Sequence, residues 1–164
     1  MVWLKAPLLT AFLASSVINL FEETIEQFVA LAVLMPIIAS MGGVGGSQRL
    51  TLVIRGISKG AIHGSNSSWL ISREIALGVI NEVGWVLIVS AVTLAFSDDF
   101  TLAVIIAFAM VLNITIAAFS GSLLPKILTS LRIDPAVAGM VVLTTITDVV
   151  GFLSFPGLAT HFYA

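Results

Sequence analysis

Cysteine is absent from the 164 residues, which excludes disulfides and thiolate metal sites and leaves the redox compartment open. Charge is scarce as well. Asp, Glu, Lys and Arg together make up 10% of the chain, against ~25% in an ordinary soluble domain. No basic run is available to hold nucleic acid, and a net charge of −2 selects no partner. The two histidines, His63 and His161, have no metal-ligating neighbours in sequence, so a soft transition-metal site is disfavoured and both are read as non-functional. What remains is apolar: 59% of residues and a mean hydropathy of +1.14. Such a chain is an integral membrane protein with the lipid bilayer as its first partner. Nearly its whole length is spent on spanning segments, which leaves no soluble catalytic domain and argues against an enzyme.

Five apolar segments follow one another, at about residues 5–21, 28–56, 69–96, 100–124 and 136–160. The expected fold is an all-α integral membrane domain of five transmembrane helices, a single unit over residues 1–164. Lys5, the apolar run Ala6–Ala14 and Ser15-Ser16 loosely resemble a secretory signal peptide. The apolar pattern continues through Leu20 and Phe21, however, and suits a first spanning helix better. A Ser- and Gly-rich loop at His63–Ser68 separates the second and third segments. Pro125 and Lys126 open a short basic connection before the fifth.

The few charges are sorted. All seven Lys and Arg lie at the N-terminus, around the loop between segments two and three, or between segments four and five. The other two loops carry Glu22, Glu23, Glu26, Asp98 and Asp99 and no base. By the positive-inside rule the N-terminus is cytoplasmic and the C-terminus external, in the plasma membrane.

Polar residues inside the apolar segments are the functional candidates, because each is costly at membrane depth. Segment two carries Gly42, Gly43, Val44, Gly45 and Gly46, a poor helix sequence at up to ~1 kcal/mol per glycine relative to Ala. It either breaks and aims backbone carbonyls at a water-filled path, or packs tightly through a glycine face. Arg49 is expected to snorkel to the cytoplasmic interface. Glu82 in segment three either lines an aqueous vestibule or is hydrogen-bonded within the bundle. Glu74 is expected to neighbour Arg73, and Asn113 to make an interhelical hydrogen bond. The fifth segment is the most telling. As a helix it is ~37 Å long, and its single carboxylate, Asp148, sits ~20 Å past Pro135, near mid-depth. Thr144 and Thr145 share its helix face and Gly151 bares the backbone beside it. An ionised acid there needs water, a cation or a partner group.

Three stretches together resemble the membrane domain of the MgtE family of magnesium channels: SVINLFEETIE (16–26), MPIIASMGGVGGSQRLTLVIRG (35–56) and DPAVAGMVVLTTITDVVGF (134–152). The resemblance implies a homodimer with one cation path on its two-fold axis. It implies that Asp148 faces that path and, with its counterpart, holds hydrated Mg²⁺, and that Thr144 borders the site through its backbone. Gly42, Gly43, Val44, Gly45, Gly46, Thr145 and Glu82 are further candidates to line the path. Two positions depart from the family pattern. Val44 stands where Asn usually follows the paired glycines, and Val141 replaces a Pro common after D-P-A. Relatives often carry a cytoplasmic magnesium-sensing part, so a separate or missing regulatory domain is expected here.

The physics agrees with Mg²⁺, which is often held by one or two carboxylates through its own hydration shell. Two other readings stay open: an ion-coupled transporter using Asp148 as a proton-relay group, and a structural membrane subunit. An intramembrane aspartyl protease would need two catalytic carboxylates close together, and each chain offers one mid-depth Asp.

Overall fold

Hydrocarbon offers no water to satisfy backbone amides, so each spanning segment must close its own hydrogen bonds, and a helix does so. The computed structural model describes residues 2–59 and 67–163, and they are helical almost throughout. Residues 63–66 of the Ser- and Gly-rich connection, with His63, lie outside the described residues, as does the side chain of Glu74. The elements are α1 (Val2–Asn19), a short α2 (Glu22–Gln27), α3 (Val29–Ser58), α4 (Ser67–Ser97), α5 (Phe100–Ser130) and α6 (Pro135–Tyr163). Among the described residues α3, α5 and α6 are each long and apolar enough to cross a membrane, and Glu82–Ser97 of α4 is a shorter apolar stretch. The chain is an all-α membrane domain.

Helix ends follow local chemistry. Asp99 caps α5, one carboxylate oxygen accepting the N–H groups of Thr101 at 2.8 Å and Leu102 at 3.2 Å. Asp134 accepts the N–H of Ala136 at 2.9 Å, and Pro135 takes the first helical position, where its missing N–H costs nothing. One expectation is corrected, and one open alternative is decided. Pro125 does not end the fourth segment: it lies buried inside α5, which runs on to Ser130. Nor does the glycine run break the second segment, since α3 is continuous from Val29 to Ser58. Propensity scales measured in water penalise glycine, but an opened turn at membrane depth would strand several backbone groups, and that outweighs the penalty.

Successive long helices alternate in direction. Gly43 meets Thr147, Gly46 meets Leu143 and Gly139 meets Leu50, an antiparallel register between α3 and α6. Asn113 beside Gly42 and Gly121 beside Gly46 give a parallel register between α3 and α5. The acid-bearing segments consequently share one end of the bundle. There Thr24 and Thr160 hydroxyls are 2.8 Å apart, the Tyr163 hydroxyl donates to Asp99, and the Phe28 and Tyr163 rings stack at 4.3 Å.

The core forms around α5, whose Ile105, Ile106, Ala109, Met110, Ala117 and Ala118 are fully enclosed, with Leu143 and Phe155 of α6. Large apolar side chains elsewhere, such as Leu9, Phe12, Val33, Phe96 and Phe108, face outward, as lipid contact requires. Glycine sets how closely the helices approach. A Cβ on Gly121 would lie 2.5 Å from the Gly46 carbonyl oxygen, and backbone cannot swing aside. One on Gly42 would lie 2.5 Å from Asn113 Nδ2. Gly84, by contrast, has open space around it.

These contacts predict opposite outcomes for two like substitutions. Gly121→Ala lowers the stability of the detergent-solubilised protein by about 1–3 kcal/mol through overpacking. Gly84→Ala leaves it unchanged or raises it by up to ~1 kcal/mol through helix propensity. Thermal unfolding followed by size-exclusion chromatography compares them, and equal losses at both positions would refute the close-approach account.

Candidate functional site

Asp148 lies on α6 and is half-buried on the outer side of the helix. No hydrogen bond or ion pair joins its carboxylate to another described residue. The three threonines around it are turned back on their own helix. Thr144 donates to the carbonyls of Met140 at 3.0 Å and Val141 at 3.2 Å, and Thr145 donates to Val141 at 2.6 Å. Thr147, fully buried, donates to the Thr144 carbonyl at 3.0 Å. With their protons committed, the Thr144 and Thr145 oxygens are left as acceptors beside the carboxylate. Acceptors suit the donated hydrogens of metal-bound water.

On α3 the glycines point three ways. Gly42 and Gly46 are buried against α5 and α6, Gly45 faces α4, and Gly43 is partly open with Thr147 at 3.9 Å from where a Cβ would stand. Val44 is 52% exposed on the outer side of the chain. Ser47, Gln48 and Thr51 continue that side and, with Met140 of α6, line a shallow groove. Asp148, Gly43 and Val44 therefore occur at neighbouring levels of the α3 and α6 pair.

Glu82 is elsewhere. The structure brings it to Arg49, with Arg49 Nη2 2.9 Å from Glu82 Oε1 and side chains only 5% and 9% exposed. Arg49 does not reach the interface as expected, because a carboxylate meets it inside the bundle. Its other terminal nitrogen lies 3.5 Å from the Gly45 carbonyl. Gly45 leaves room for the carboxylate, since a Cβ would stand 2.5 Å from Glu82 Oε1. Removing one partner of such a buried pair leaves an uncompensated charge, at a typical cost of about 3–5 kcal/mol. Asn113 makes the interhelical bond expected of it, donating to the Ile38 carbonyl at 2.8 Å from a fully buried position. Sequence reasoning missed the Arg49–Glu82 partnership. Its available signal was an unmatched base and an unmatched acid in adjacent apolar segments.

Among the described residues no three His, Asp or Glu side chains gather into a metal-binding group. Among the described residues Asp148 offers one carboxylate, with the Thr144 and Thr145 oxygens on its helix face, a set that suits an ion retaining its water.

The described residues form an all-α membrane domain in which Asp148 has no partner among them. Residues 35–158 match the family described as "MgtE: Divalent cation transporter", and the chain belongs to that family. It is 32% identical over 160 residues to the "Magnesium transporter MgtE" of Bacillus subtilis, covering 98% of this chain and 36% of that protein. It is 29% identical to the protein of the same name from Enterococcus faecalis, covering 98% of this chain and 35% of the relative. With that of Thermus thermophilus it shares 28% identity, over 96% of this chain and 35% of the relative. The chain spans about a third of the length of these curated relatives.

At the acid-rich end, the Tyr163 hydroxyl holds the Asp99 carboxyl below its ordinary range, aided by the two capping N–H groups. A lowered folded value means stability present above ~pH 4, the unfolded value, and lost as pH falls through the folded one. Tyr163→Phe returns Asp99 toward its ordinary value. The stability gap between wild type and variant is therefore widest above ~pH 4 and closes in stronger acid. Melting temperatures from pH 7 to pH 3 measure it, and a gap that widens on acidification contradicts the assignment.

Proposed function

We infer that the chain is the conducting part of a magnesium channel or facilitator of the plasma membrane, acting in transport and not as an enzyme. Two copies assemble about a two-fold axis, and the Asp148 carboxylates face one another across a wet path. A hydrated Mg²⁺ between them is matched in charge, and its coordinated waters donate to the Thr144 and Thr145 oxygens and to backbone exposed by Gly43. Mg²⁺ keeps octahedral geometry and dehydrates reluctantly, so two carboxylates reached through water suit it. Each chain crosses the bilayer five times, with the N-terminus cytoplasmic and the acid-rich end external, where it raises the local cation concentration.

The observation that carries this reading is the state of Asp148: an acid on an apolar helix, half-open to the outside of the single chain, with no partner among the described residues. Arg49, the charge best able to neutralise an intramembrane acid, is already committed to Glu82. Relatives named as magnesium transporters supply the ion. The length of those relatives beyond the matched part leaves room for a cytoplasmic regulatory domain acting on this one.

Asp148→Ala abolishes Mg²⁺ uptake into proteoliposomes, a loss of at least ~100-fold, while the protein elutes at its wild-type position. Asp148→Asn, which keeps the shape and loses the charge, does the same. A carboxylate's contribution to holding a divalent ion in a low-dielectric site is about several kcal/mol, ample for that loss. Wild-type uptake from Asp148→Ala would remove the residue from the mechanism. Val44→Asn adds a polar group on the exposed side next to Gly43, and it alters the ratio of Mg²⁺ to Ca²⁺ flux more than it alters melting temperature. Identical flux ratios in both forms would place position 44 away from the path.

A further inference from the structure

The ion pair between Arg49 and Glu82 raises a question that the cation path does not answer. A membrane-embedded bundle that passes cations has a guanidinium buried in α3, the helix packed against the one that bears Asp148. Its level follows from the contacts. Gly43 is opposite Thr147, Gly46 opposite Leu143 and Leu50 opposite Gly139, so Arg49 sits ~10 Å along the helix axis from the level of Asp148. Adjacent helix axes are ~8–10 Å apart. At such separations and in a poorly screened interior, one uncompensated positive charge disfavours an approaching cation about five- to tenfold for each unit of ionic charge.

We propose that Glu82 is an electrostatic screen for the cation path: its carboxylate cancels the Arg49 charge, so that α3 can carry an arginine beside a divalent-ion site without repelling the ion. The proposal rests on the reading of Asp148 given above. Glu82 approaches from α4, across Gly45, on a different side of α3 from the Gly43–Thr147 contact with α6. Its Oε1 is occupied by Arg49, and its Oε2 is buried with no partner among the described residues. The carboxylate is therefore committed to the guanidinium and acts through it, as a positioning residue and not as a ligand. Gly45 is the sequence feature that admits it, since any side chain there would displace the carboxylate.

A screen and a purely structural bridge differ in symmetry. Breaking a bridge from either side has the same result, whereas losing a screen matters only while the Arg49 charge remains. In Mg²⁺ uptake by proteoliposomes of the 164-residue chain, scaled to protein that elutes as wild type, Glu82→Gln leaves Arg49 positive. It raises the half-saturating Mg²⁺ concentration at least ~10-fold. Arg49→Gln removes the charge that needs screening and does not raise that concentration. The double variant Arg49→Gln/Glu82→Gln returns to within ~3-fold of wild type, because both charges are gone. Half-saturation that rises in both single variants, or a double variant as impaired as Glu82→Gln, overturns the proposal. If Glu82→Gln does not fold, Arg49→Gln decides alone, and a raised half-saturation overturns it. Failure of both single variants to fold, with a folded double, makes the pair a structural bolt and also overturns it. Asp148→Ala measured in parallel separates the two ideas. Wild-type uptake there defeats the path itself, whereas a dead Asp148→Ala beside an unaffected Glu82→Gln defeats only the screen.

Discussion

Backbone lies against backbone where α3 crosses α5, and that closeness governs the rest of the bundle. The Gly46 carbonyl occupies the space that a side chain on Gly121 would need, and Leu143 of α6 closes over Gly46 from the other side. Lipid tails are as apolar as leucine, so helices in a bilayer gain little from the hydrophobic effect when they associate. Close van der Waals packing through small residues and interhelical hydrogen bonds must hold them instead. The Asn113 bond to the Ile38 carbonyl, admitted by Gly42, is one such bond. The contacts at Gly43, Gly46 and Gly139 fix the register of α6 on α3, and with it the level of Asp148.

That register explains how one glycine run can serve several neighbours. Four glycines spread around α3 let α5, α6 and α4 approach different sides of it, with Val44 left facing out. The helix stays intact because its backbone has nowhere else to find hydrogen bonds. Glycine in this setting determines distance between helices. Polar groups sort accordingly: Asn113 is bonded in the core, Arg49 and Glu82 are paired between α3 and α4, and Asp148 is partly open on α6 with no partner among the described residues.

At the acid-rich end, α6 is tied down by Tyr163, which bonds Asp99 and stacks on Phe28, and by Thr160 beside Thr24. The same Asp99 carboxylate caps α5 through its other oxygen. One side chain thereby joins the start of α5 to the end of α6, two of the helices that enclose the core. The charge asymmetry noted along the chain becomes a feature of shape, because the acid-bearing turns converge on one end.

Composition and local pattern were enough to determine a helical membrane domain and its family. In lipid the backbone has few options, and the M-G-G and T-x-x-D-V-x-G stretches are distinctive at their spacing. Asn113 as an interhelical donor was legible for the same reason, since a buried amide must be satisfied. What the sequence could not decide was which way each glycine points and which charge meets which. Arg49 reads as a snorkelling base when only its own segment is considered, and Glu82 as a loose acid in the next. Their pairing depends on the relative level of α3 and α4, which side-chain contacts set over many residues. Pro125 misled for a related reason, because prolines are tolerated inside membrane helices, and this one is buried within α5.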